Sequence, residues 1–114
     1  MNPYAKIPEA ICRELIAYVE EGRAPNATLR AVLENNLGSA ITQADVGTAA
    51  AMRPLVIFIR TALPARSHGS PAAVREWIGA LAQGGSTILA KHADLLDACD
   101  WSLWKKRIEG AVTA

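Results

Sequence analysis

Leu55-Val56-Ile57-Phe58-Ile59 is the stretch that decides what this chain folds into. Five consecutive apolar residues, four of them β-branched or aromatic, suit a buried strand as well as a buried helix segment. A strand needs a partner, and no other stretch of the chain reads as one. Arg53-Pro54 stands immediately before the run, and proline is tolerated in the first turn of a helix, where its missing N–H has no partner to lose. The run is therefore read as a helix that continues through Leu63 and stops at Pro64. The whole chain is read as all-α, a compact bundle of about six short to medium helices ending in a C-terminal helical hairpin.

The remaining segments fit that reading. Ile7, Ile11, Leu15, Tyr18 and Val19 recur at three and four residues, one face of a helix that starts at Pro8 and stops at Gly22. Asn26 caps a second helix carrying Leu29, Val32, Leu33 and Leu37, and Gly38 is its expected end. From Ser39 to Met52 a weaker helix is expected, interrupted at Gly47. Ser70-Pro71 opens a helix that runs to about Ala82 and buries Val74, Trp77, Ile78 and Leu81. After Gly84-Gly85, Ser86 caps a helix with Ile88, Leu89, Leu95 and Leu96, and Asp100 caps a last one with Trp101, Trp104 and Ile108. At 114 residues the chain suits one domain, with residues 7–83 as its core and 86–112 as a C-terminal extension.

Composition narrows the function classes. Lys plus Arg is 12 against 11 for Asp plus Glu, so no strong field draws the chain to nucleic acid or to an anionic membrane. Helix, glycine turn and helix between Arg30 and Gly47 superficially suggest a DNA reader, but the second helix carries Asp45 and no Arg or Lys. Lys105-Lys106-Arg107 is short and suits a solvated final helix turn. No segment reaches the ~18 apolar residues that span a bilayer, and the N-terminus lacks the apolar core of a signal peptide. A cytoplasmic protein is expected. Cys12 and Cys99 lie far apart and read as buried thiols of a reducing compartment.

Catalytic and metal chemistry find no pattern to rest on. His68 and His92 lie in different segments, and neither has a second histidine at ligand spacing. Asp94 and Asp97 share a helix face but suit a solvated one. No phosphate-binding glycine motif is present, so no enzyme, metal or cofactor is expected.

Ligand or partner binding remains. The loop Arg66-Ser67-His68-Gly69-Ser70 leads into the helix start at Pro71, where backbone donors and partial positive charge favour an anion. Arg53 and Arg60 lie seven residues apart, two helical turns, and can project from one side of the preceding helix. Arginine forks suit phosphate, and His68 offers a donor when protonated or a stacking surface when neutral. Arg53, Arg60, Arg66, Ser67, His68, Gly69 and Ser70 therefore form the expected ligand-binding set. An alternative from a different class is a protein-partner inhibitor or structural adaptor that uses Trp101 and Trp104, three residues apart on one helix face, as a partner or oligomer contact.

Three groups of residues together resemble a family: Ile7-Pro8 with Tyr18-Val19-Glu20-Glu21-Gly22, then Leu29 through Leu37 with Ala44-Asp45, then Gly69-Ser70-Pro71 with Val74 and Trp77. The set, spanning about residues 7 to 80, is similar to small helical proteins encoded by phages and prophages. Members often carry an acidic residue where Asn36 stands, and an aromatic before the glycine where this chain has His68. The resemblance implies a non-catalytic counter-defence protein in the host cytoplasm, self-associating. Its partner would be either a phosphorylated nucleotide signal that it sequesters or a host defence protein.

Overall fold

The computed structural model describes residues 7–82 and 101–113. Among them are seven α-helices, one 3-10 turn and no strand, so the apolar run at Leu55–Ile59 is helical. The first arm of the expected C-terminal hairpin, with Cys99 and His92, lies outside the described residues.

Helix α1 spans Glu9–Glu21 and buries Ile11, Cys12, Leu15, Tyr18 and Val19. Gly22 ends it in the left-handed conformation at φ 69°. Its N–H donates to Tyr18 O, the bond of an αL cap, and the N–H of Arg23 reaches back to Ala17 O. Helix α2, Ala27–Leu33, starts where Asn26 Oδ1 accepts from Leu29 N at 2.8 Å. The Glu14 carboxylate accepts from both Asn26 N and Asn26 Nδ2, at 2.7 and 2.8 Å, fixing the cap to α1.

Two glycine stops expected from the sequence fall elsewhere. Asn35, at φ 63°, ends α2 five residues after Arg30, and Asn36 then caps α3, Leu37–Gln43, by accepting from Ser39 N. Asparagine tolerates the left-handed region because its side chain bonds locally, so it does here what Gly38 was expected to do. Gly38 sits inside α3, and Leu37 belongs to α3 and not to α2. Likewise the second break falls at Ala44-Asp45, where the Asp45 carboxylate accepts from Thr48 N at 2.7 Å and starts α4, Val46–Ala50. Gly47 lies within that helix.

Helix α5, Met52–Ala62, buries Leu55, Phe58, Ile59 and Ala62 and stops before Pro64, which cannot continue it. A 3-10 turn over Ala65–Ser67 leads to Ser70, whose Oγ accepts from Ala73 N at 3.1 Å and opens α6, Pro71–Leu81. Helix α6 buries Val74, Trp77 and Leu81.

Helix α7, Trp101–Thr113, packs against α1 and α5. Trp101 is 5% exposed, and its Nε1 donates to Glu20 Oε2 at 3.1 Å, while Lys105 Nζ pairs with the same carboxylate at 2.9 Å. Trp104 is half-buried, with its ring edge-on to Phe58 at 6.4 Å between centroids and the Arg107 guanidinium 4.7 Å over its face. The Trp101 and Trp104 face, expected to meet a partner, is instead spent on this chain's own core. Two large aromatic surfaces gain more from burial within the fold than from exposure.

Candidate functional site

The loop between α5 and α6 is held from the inside. Tyr18, fully buried on α1, donates its hydroxyl to Ser67 O at 2.6 Å, and Trp77 Nε1 donates to Tyr18 O at 3.1 Å. The N–H of Gly69 donates to Leu33 O at 2.7 Å. Pro64 O accepts three donors: Ser67 N at 2.9 Å, Ser67 Oγ at 2.7 Å and His68 Nδ1 at 3.1 Å. A buried carbonyl left unpaired costs about 1–3 kcal/mol, so this mesh is what holds the loop in one shape.

That mesh corrects the expected anion cradle. Ser67 is fully buried and its hydroxyl is committed to Pro64. The Gly69 amide is committed to Leu33, and Ser70 Oγ serves Ala73 N. The Ser67 hydroxyl and the Gly69 amide, donors that a bound phosphate would need, are thus used inside the protein, while Ser70 Oγ acts at the helix start as an acceptor. Ser67 and His68 find their acceptor close by at Pro64 O, whereas the Gly69 amide finds its own on the distant Leu33.

His68 is half-buried. A carbonyl oxygen only accepts, so the contact with Pro64 O puts the proton on Nδ1 and leaves Nε2 as an acceptor. Burial lowers the imidazole's pKa below its usual 6.5, and the nearby Arg60 charge adds to this against the opposing bond to Pro64 O. The ring is therefore neutral at pH 7 and is no cationic donor there.

Because the folded pKa lies below the unfolded one, protonation favours unfolding. The stability that the neutral ring contributes is complete above pH 6.5 and is lost as pH falls from there through the lowered value. The urea midpoint of the native chain is expected to drop more between pH 7.5 and 5.5 than that of His68→Gln. Equal drops in the two proteins would refute the assignment. Asp45, also lowered by its bonds to Thr48, acts in a separate window below the ordinary carboxylate value of 3.8.

Arg53 is exposed on α5, about 10 Å along the helix from Arg60. Arg60 Nη2 donates to Asn35 Oδ1 at 3.2 Å, which pins it over the junction of α2 and α3. Arg66 borders a cavity. That cavity, about 440 Å³, is lined by Arg66, Ala73, Glu76, Trp77 and Ala80 among the described residues.

Ala73, Trp77 and Ala80 recur at four and three residues on α6, so two small side chains flank one large ring and leave a recess. Glu76 stands on the same helix and Arg66 on the preceding turn, placing a carboxylate and a guanidinium on one groove. Glu76 and the two alanines were missed from sequence. The small-large-small spacing around Trp77 is the signal that points to them.

Among the described residues, no group of three His, Cys, Asp or Glu side chains is placed to hold a metal ion. Cys12 is fully buried, and burial pushes its thiol up to about 11, which makes it a poor nucleophile. No described helix is long and apolar enough to cross a membrane. No protein family, curated protein or solved structure matches this chain.

Proposed function

We propose that this chain is a non-catalytic binding protein whose groove on α6 takes a phosphorylated nucleotide. In the phage setting that the sequence resemblance implies, it withholds such a signal from host defence. The observation that supports the reading is the lining of one groove by Arg66 and Glu76 together. At about 440 Å³ the groove is of small-ligand size. The guanidinium offers a planar fork to phosphate oxygens. The carboxylate opposes a bare anion but accepts hydrogen bonds from hydroxyl or amino groups. A nucleotide carries both kinds of group, phosphate at one end and donors on its sugar and base, whereas inorganic phosphate carries one.

The rival reading, a protein partner engaged through Trp101 and Trp104, is not favoured, because Trp101 is buried and bonded to Glu20.

Calorimetry against cyclic dinucleotides and ADP-ribose derivatives, with inorganic phosphate as control, tests the proposal. Binding of at least one nucleotide is expected with Kd below about 50 µM, together with a loss of tenfold or more in Arg66→Glu. Glu76→Gln is expected to narrow the gap between nucleotide and inorganic phosphate. Absence of nucleotide binding at that concentration, or binding that Arg66→Glu leaves intact, would sink it.

A further inference from the structure

Two unlike walls of the groove on α6, the Trp77 ring and the Arg66 guanidinium, are tied to one residue that does not line it. Tyr18 stands on α1 and is fully buried. Its carbonyl accepts from Trp77 Nε1 at 3.1 Å. Its hydroxyl donates at 2.6 Å to Ser67 O, on the residue that follows Arg66.

Arg66 sits in a turn that is closed on itself. Ser67 N and Ser67 Oγ both donate to Pro64 O, at 2.9 and 2.7 Å, and so bracket Arg66 between bonded neighbours. Those bonds shape the turn but do not fix where it stands against α6. The turn packs on α6, yet apolar packing is non-directional, whereas a hydrogen bond weakens steeply with distance and angle. The Gly69 amide ties the chain beyond the turn to Leu33 on α2, so the directional bond that refers the turn to the residue holding Trp77 is the one from Tyr18. Burial holds the phenol's pKa well above its ordinary 10, and the hydroxyl therefore keeps its proton and stays a donor at neutral pH.

A nucleotide needs its phosphate and its base or sugar received at a set separation. Arginine has a long stem, and ordering it on binding costs affinity, part of which a fixed backbone removes beforehand. We infer that Tyr18 is a positioning residue of the groove: through Ser67 O and Trp77 Nε1 it sets Arg66 against Trp77 at the separation a nucleotide requires, without touching the ligand. The role presupposes the nucleotide reading of the groove.

Calorimetry on the native chain with cyclic dinucleotides and ADP-ribose derivatives identifies the probe, the nucleotide of that panel bound most tightly. Tyr18→Phe removes the hydroxyl and keeps the ring. It is expected to retain the native circular dichroism spectrum and to weaken the probe by at least about fivefold. In an Arg66→Ala background the same change is expected to alter Kd by less than about twofold, because the group it positions is gone. A merely structural role would weaken both backgrounds alike. The native chain offers a second readout. Coupling is reciprocal, so exchange of the Tyr18 hydroxyl proton, followed by NMR, is expected to slow by at least about threefold more than that of the Trp101 Nε1 proton when the probe saturates the groove. A native chain that binds no nucleotide overturns the reading of the groove and the role of Tyr18 with it. Binding that Tyr18→Phe leaves intact, or weakens equally with and without Arg66, overturns the role alone. So does hydroxyl exchange indifferent to saturating nucleotide, which decides the matter should Tyr18→Phe fail to fold.

Discussion

Trp77→Ala is expected to destabilise the fold by about 3–5 kcal/mol, the usual range for removing a large ring from a core. Trp77 is 2% exposed and is the largest fully buried side chain of α6. Its loss leaves a void among Tyr18, Val74 and Leu81, and also removes the Nε1 donor that satisfies Tyr18 O. Tyr18 in turn holds Ser67 O, so the damage extends to the loop before α6. Domains of this size are stable by about 5–15 kcal/mol, which puts the variant near the threshold of folding at 37 °C. Urea unfolding followed by circular dichroism reads the effect. Trp77→Phe is expected to recover much of the packing but not the hydrogen bond, and so to fall between the two. A loss of less than about 1 kcal/mol in Trp77→Ala would mean that the ring is not part of the core.

Gly22→Ala is expected to cost about 2–4 kcal/mol, from two independent sources. At φ 69° the residue occupies a region that a Cβ penalises by about 1–2 kcal/mol. An added Cβ would also lie 2.7 Å from Leu81 Cβ and 3.3 Å from Ile78 O, so α6 must move away from the end of α1. Leu81 Cβ is attached directly to the backbone and cannot swing aside. Two other glycines separate the sources. Gly69, at φ 111° with open space around it, isolates conformational strain. Gly38→Ala meets neither obstacle and is expected to lie within about 0.5 kcal/mol of the native chain. Thermal or urea midpoints of the three variants check the order Gly22, then Gly69, then Gly38. If Gly22→Ala were no worse than Gly69→Ala, the contact with α6 would contribute nothing.

The parts of the fold that were legible in the sequence are those set by neighbours along the chain. Asn26 and Ser70 cap the helices that their sequence positions suggested, Gly22 stops α1, and Pro64 limits α5. The helical state of Leu55–Ile59 followed from the want of a partner strand. Where two residues could perform one task, sequence chose the wrong one. Gly38 and Gly47 look like stops, but Asn35 in the left-handed region and Asp45 as a cap act first, and glycine is then carried inside a short helix.

The site was less legible, because its character depends on contacts between remote segments. Ser67, His68 and Gly69 read as donors awaiting a ligand, but Pro64 O takes the Ser67 hydroxyl and His68 Nδ1, and only the approach of Leu33 shows the Gly69 amide to be occupied. Arg53 and Arg60 share a helix side, and Asn35 engages Arg60 over the junction of α2 and α3, a contact that the spacing of the arginines does not foretell. The tryptophans of α7 form a face as expected, and Glu20 on α1 is what turns that face inward.

The bonds around Tyr18 also set a timetable for synthesis. Its hydroxyl meets Ser67 across 49 residues of chain, and its carbonyl meets Trp77 across 59. At about 5–20 residues per second, a ribosome delivers Trp77 some 3–12 s after Tyr18. Until then α1 lacks α6, one of the helices that pack against it. The first helix made is thus among the last to be completed, because α6 and then α7 must both be made before its apolar face has all its neighbours.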